Sequence, residues 1–307
     1  MSVPEIHASR NLLLHIGPAA AQPTRAGSAS TVRIRAGTMH TGHMEEHQLA
    51  GGVANAGGVV RMGDHVLRPS NPHSGAVHAF LRVLRDTGFR GASVPVGIDE
   101  DGRERLGFIE GEVPTPPYPE WAQSDDALAS VASLMARFHR ASRSFDPAPY
   151  TWSGEMADPA GGTVVCHNDV CLENVVFRNG TAVALLDFDF AAPGRTVYDV
   201  AAFARMCVPI DDDVNATRLG WRSPDRPARL RLVADTYGFA ADGRLALIHM
   251  LDASIEAAGE FVRRRVDAGD PPFVAMWNEM GGGERFDRRR RWWADNRDRF
   301  VGALDLR

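Results

Sequence analysis

The chain contains no lysine. All 34 of its basic residues are arginine, set against 39 acidic ones over 307 positions, for a formal net charge of −5. This acidic balance excludes nucleic acid as the main partner, because phosphate backbones select for clustered positive charge. The one basic run, Arg288 to Arg291, stands beside Asp295 and Asp298 and reads as a solvated helix face with internal ion pairs. Cysteine is scarce as well. Cys166, Cys171 and Cys207 are odd in number and lack paired spacing, which fits a reducing compartment and packing roles better than a disulfide framework or a zinc site. No stretch reaches the roughly 18 to 20 apolar residues of a membrane-spanning helix, and the run Leu12 to Ile16 is too short for a signal-peptide core. We therefore expect a cytoplasmic protein without a membrane partner; oligomeric state is not legible.

What is present is the composition of a folded protein, 44% hydrophobic. Residues 1–44, rich in Ala, Ser, Gly and Thr without periodicity, are expected to form a flexible leader. From 45 to 110 short apolar runs separated by glycine predict β-strands, with a hairpin at Met62-Gly63-Asp64-His65. Val77, Phe80, Leu81 and Leu84 recur at helical spacing, and Gly88 marks a left-handed cap. Two strand-like pieces then flank the turn at residues 99–102. Pro114, Pro116, Pro117 and Pro119 suit a stiff connection, and residues 111–307 read as mostly helical beyond it. Ser124 is placed to cap a helix with Leu128, Val131, Leu134, Met135 and Phe138 along one stripe. Further helices are predicted over 197–207, 227–237, 242–268 and 287–304. The expected class is α+β, a small β-rich lobe followed by a larger helical one.

The most informative segment is His167-Asn168-Asp169-Val170-Cys171-Leu172-Glu173-Asn174, with Asp187-Phe188-Asp189 beginning thirteen residues after Asn174. Phosphoryl transfer from a nucleotide needs a carboxylate to orient and deprotonate the accepting hydroxyl, and oxygen ligands for magnesium bridging the phosphates. Asp169 suits the base; Asn174 and Asp187 suit the metal. The strands at 163–165 and 182–186 are expected to pair as a hairpin that sets base and ligands side by side. His167 reads as a brace for the loop.

Together, HNDVCLEN, LLDFDFAAPG and VYDVAAF resemble the aminoglycoside phosphotransferase and choline kinase superfamily, from about Leu49 to the end of the chain. The resemblance implies the two-lobed protein-kinase-like fold and the use of ATP or GTP with Mg2+. It implies Asp169 as catalytic base, Asn174 and Asp187 as magnesium ligands, Asp199 as a brace of the catalytic loop, and Asp189 as a carboxylate adjacent to the metal. Gly51, Gly52 and Asn55 resemble the nucleotide loop, where missing side chains let backbone N–H groups approach phosphate. The family's phosphate-binding lysine is replaced by Arg68. Its glutamate partner is missing too, since the following helix has no acid between Pro69 and Arg85. Adenine is expected against the backbone of Phe108, Ile109 and Glu110.

The acceptor is expected above Asp169. Asp211, Asp212, Asp213, Glu256 and Glu260 offer acidic surface to an amine-rich acceptor such as an aminoglycoside, although Arg263 to Arg265 dilute it. The implied activity is transfer of a γ-phosphate to a small-molecule hydroxyl. Two alternatives stay open: a nucleotide-binding pseudokinase module, motivated by Arg68 and the missing glutamate, and a kinase acting on a peptide, sugar or biosynthetic intermediate.

Overall fold

The computed structural model describes residues 46–49 and 58–306; the leader, and Gly51, Gly52 and Asn55, lie outside the described residues. The β-rich lobe is one antiparallel sheet of β1 (His47–Gln48), β2 (Val60–Met62), β3 (His65–Pro69), β4 (Pro95–Ile98) and β5 (Arg103–Gly107), in the order β1-β2-β3-β5-β4. Gly63, with φ +59°, turns the β2–β3 hairpin where a side chain would be strained. Helix α1 (Ser74–Asp86) buries Val77, Phe80, Leu81 and Leu84, and Gly88 at φ +90° follows it.

The lobes meet through backbone as well as side chains. Glu112 and Phe177 exchange two 2.8 Å backbone hydrogen bonds, and the Leu185 N–H donates to the Gly91 carbonyl at 2.9 Å. Gly111, just before this bridge, has φ +149°, and a Cβ there would stand 2.5 Å from the Phe177 carbonyl oxygen. Both the conformation and the space require glycine. Gly111→Ala is therefore expected to destabilise the protein by about 2 kcal/mol or more, read as a shifted denaturant midpoint with unchanged slope; an unshifted midpoint would show that the link tolerates a side chain.

The second lobe is built on α2 (Asp125–Ser142), whose N-terminus is capped by Ser124 accepting the Ala127 N–H at 3.1 Å. Its apolar stripe, Leu128, Val131, Leu134, Met135 and Phe138, is buried. The strands β6 (Val164–Cys166), β7 (Val175–Arg178), β8 (Thr181–Leu185) and β9 (Ala192–Gly194) follow, then α3 (Thr196–Cys207), α4 (Asp213–Arg218), α5 (Arg226–Tyr237), α6 (Ala241–Asp267), α7 (Pro271–Glu279) and α8 (Glu284–Ala303). Helix α3 packs along α6, and α5 joins α2 to α8. Among the described residues no helix is long and apolar enough to cross a membrane.

The strand pairing corrects one expectation. β6 pairs with β9, and β8 with β7, so Asp169 and Asp187 do not lie on one hairpin. The reason is local: Val175 to Arg178 is itself a strand, turned into β8 by Asn179 at φ +49° and Gly180 at φ +74°, the double left-handed turn that Asn-Gly favours. Two short ladders side by side still bring the loop after β6 and the residues after β8 together.

Candidate active site

The loop after β6 is fixed by Asp199, in the first turn of α3. One of its oxygens accepts the Asn168 N–H at 2.8 Å; the other accepts the His167 N–H at 2.8 Å and meets His139 Nε2 at 2.9 Å. His139 Nδ1 in turn meets the Tyr237 hydroxyl at 2.8 Å. His139, Cys166 and Asp199 lie close enough to suggest a metal cage, but the histidine nitrogens and the carboxylate are already committed to these bonds. Burial opposes the charge on Asp199, yet the hydrogen bond and charge of His139, with the His167 contacts, outweigh it and hold the carboxyl below its ordinary range. His167 is buried, which lowers its pKa and keeps it neutral; Nε2 donates to the Leu186 carbonyl at 2.8 Å, and Nδ1 accepts the Asp169 N–H at 3.3 Å. Its ring thus ties the loop that carries Asp169 to the residue before Asp187.

Asp169 is fully buried. Its Oδ2 accepts the Asn174 side-chain amide at 3.0 Å, and its Oδ1 has no partner. Burial, then the charges of Asp187 and Glu173, push its pKa well above the usual carboxylate range. With the Asn174 nitrogen committed to the Asp169 carbonyl and carboxylate, its Oδ1 is the atom left for a cation. Asp187 sits at φ +59°, an uncommon setting for a non-glycine residue, which turns its carboxylate toward the sheet of the first lobe. Phe188 beside it packs on His167, ring centres 4.6 Å apart, and against Phe138 and Phe80.

Arg68, on β3, closes the site from above. Nη1 donates to Asp187 Oδ1 at 3.0 Å, Nη2 to Asp189 Oδ1 at 2.6 Å, and Nε to Glu104 Oε2 at 2.9 Å. Burial and the neighbouring Asp189 raise Asp187 against the opposing pull of Arg68, leaving it pushed up to about 7. The carboxylates of Asp187 and Asp189, with a guanidinium between them and the amide oxygen of Asn174 nearby, are a set of hard oxygen donors suited to magnesium. The acid that pairs with Arg68, Glu104, lies on β5 and not on the helix where the resemblance places it.

The other expected residues are distributed as follows. Phe108 donates its N–H to the Asp64 carbonyl at 2.8 Å and carries Arg61 over its ring, while the Glu110 carbonyl accepts Arg178 Nε at 2.8 Å. Ile109 lies between these two engaged residues. The acidic run requires a correction. Asp211 is buried in a two-bond pair with Arg289, at 2.8 and 2.5 Å, and Asp212 caps α4 by accepting the Asn215 N–H at 3.2 Å. Asp213 pairs with Arg226 at 2.7 Å, and Glu256 with Arg290 at 3.0 Å. Glu260 is exposed on α6. The structure therefore sets Asp211 the task of joining the start of α4 to α8, and the run Arg288 to Arg291 is not a uniformly solvated face, because Arg289 is buried as that partner.

A sequence model described as the phosphotransferase enzyme family matches residues 151–233, the stretch with Asp169, Asn174, Asp187 and Asp199. A trifolitoxin immunity protein from Rhizobium leguminosarum bv. trifolii is 30% identical over 259 residues, covering 80% of this chain and 94% of that protein. Among solved structures, a choline/ethanolamine kinase family protein from Mesorhizobium loti matches with a TM-score of 0.54 at 15% identity, over 87% of this chain and 94% of that one, a likeness of fold. The chain thus belongs to the phosphotransferase enzyme family and is a phosphotransferase acting on hydroxyl groups, built on the two-lobed protein-kinase-like fold.

Proposed function

We propose that the chain transfers the γ-phosphate of ATP or GTP to a hydroxyl of a small molecule bound above Asp169. The observation that carries this reading is the meeting of Asp169 and Asn174, from one loop, with Asp187 and Arg68, from two other segments, between the lobes. Asn174 and Asp187 would hold magnesium, which would offset the charge of the phosphates. Asp169 orients the acceptor hydroxyl and takes its proton at the unpartnered Oδ1, a role that its raised pKa favours. His167 and Asp199 hold the loop that carries it. Arg68 contacts the phosphates, and Ile109 supplies backbone groups to adenine. Much of the rate then comes from positioning and charge compensation.

The pseudokinase alternative rests on Arg68 and the missing glutamate, and Glu104, which pairs with Arg68, answers the second of these grounds. The acidic run gives little support to an amine-rich acceptor, since Asp211 is committed to Arg289. The relative named for immunity to trifolitoxin brings a toxin into the acceptor question. Incubation with γ-labelled ATP, magnesium and a panel of aminoglycosides, other amines, nucleosides, sugars, peptides and trifolitoxin is expected to label one class. Failure of every acceptor, with ATP intact throughout, would count against the reading.

Magnesium binding should depend on pH in a defined direction. Because the Asp187 pKa is raised to about 7, the folded ligand-free state favours its proton, and the metal must displace it. The metal-free protein loses this contribution to stability as pH rises from the ordinary carboxylate range toward 7, and magnesium affinity rises over the same interval. Calorimetry is expected to show binding about tenfold weaker at pH 6 than at pH 8; a pH-independent affinity would remove Asp187 from the ligand set.

A further inference from the structure

Helix α1 carries no acid before Asp86 at its far end, yet Arg68 is not left without a partner. In the antiparallel register of β3 and β5, Glu104 stands directly opposite Arg68, so the two side chains share one face of the sheet. Glu104 is fully buried, with Oε2 on Arg68 Nε at 2.9 Å. Its Oε1 accepts the hydroxyl of Ser74, the first residue of α1, and His78 Nε2, one turn further along, lies 3.7 Å from Oε2. A buried ion pair persists only when its remaining polar atoms are also satisfied, and here α1 supplies a donor for the second oxygen.

We propose that Glu104 is the positioning residue for Arg68, and that α1 acts on the nucleotide site through Ser74 and His78 instead of through an acid of its own. This rests on the cleft being a nucleotide site. The roles are exchanged across the lobe: the strand carries the acid, and the helix carries the Ser74 hydroxyl donor with the His78 ring beside it. Arginine suits this arrangement where lysine would not. Glu104 holds Nε, which fixes the plane of the guanidinium, and Nη1 and Nη2 are thereby presented together to the cleft, where they now meet Asp187 and Asp189. A lysine has one nitrogen for all three tasks. Loss of Glu104 frees the plane to rotate and leaves the cation without its backing charge.

The test uses the full chain with Glu104→Gln, which keeps shape and removes charge, and Glu104→Asp, which keeps charge and shortens reach. Nucleotide affinity is measured with magnesium ATP, kcat and KM are separated, and melting temperature is recorded alongside. Glu104→Gln is expected to bind magnesium ATP about tenfold more weakly, with a raised KM for ATP, and Glu104→Asp to recover part of the loss. Returning an acid to the helix in the double variant Glu104→Gln with His78→Glu is expected to restore affinity toward that of the parent. A Glu104→Gln protein that melts lower but binds and turns over nucleotide as the parent does would overturn the proposal, since a merely structural acid would act only on stability. Should that variant not fold, Ser74→Ala, which leaves the ion pair in place, is expected to weaken binding about threefold; unchanged affinity there would also overturn it. If the unaltered protein binds no nucleotide, the reading of the cleft fails instead.

Discussion

Asp169→Asn is expected to slow phosphate transfer by about 10² to 10⁴ while leaving a protein that melts no lower than the parent. The two effects have different origins. Transfer falls because an amide cannot take the proton of the accepting hydroxyl. Stability is kept because the carboxylate is an unfavourable group in the ligand-free fold: it is fully buried, its Oδ1 has no partner, and Asp187 and Glu173 oppose its charge. An amide of the same shape still accepts the Asn174 side-chain nitrogen and carries no charge to be desolvated. A gain of up to about 1 kcal/mol is in keeping with the balance between function and stability at such sites. Thermal melting of the ligand-free proteins side by side checks it; a drop of several degrees would mean that Asp169 supports the fold.

Asp199→Ala should behave in the opposite way. This carboxylate is fully buried and holds two successive backbone N–H groups of the catalytic loop and the ring of His139. Removing it leaves those donors buried with no acceptor, the circumstance in which a buried polar partner costs about 3 to 5 kcal/mol. Denaturant unfolding of the purified variant measures the loss, and activity is expected to fall with it because the Asp169 loop relaxes. The contribution also has a pH dependence. The folded pKa lies below the ordinary value, so the stabilisation is present above the ordinary carboxylate range and is lost as pH falls through it. A variant within about 0.5 kcal/mol of the parent would show that the loop holds itself.

The parts of the site that could be read in the sequence are the local ones. Asp169 and Asn174 lie on one short loop, Asp187 at a strand end, and Asp199 in the first turn of a helix, so their types and spacing state the chemistry before any long-range contact is known. Glu104 was missed because its meaning comes from strand register: it lies 36 residues from Arg68 and reads as an ordinary charge until β3 and β5 are aligned. Asp211 and Arg289 fail in the same way, 78 residues apart, each judged by its neighbours in the chain. The β7–β8 hairpin did have a local signal, Asn179-Gly180 after the apolar run from Val175, but that run is continuous with the catalytic loop. Helices α4 and α7 are short, and their cues are a capping Asp212 and the paired prolines Pro271 and Pro272.

The most direct test follows ADP formation from ATP in three proteins under identical conditions: the parent, Asp169→Asn and Asp187→Ala, each with an acceptor and with or without magnesium. ADP is expected to accumulate in the parent only when magnesium is present and to be nearly absent in both variants. ADP formed equally well by Asp169→Asn, or a parent that binds magnesium ATP yet forms none with every acceptor offered, would contradict the assignment of this cleft as a phosphotransfer site.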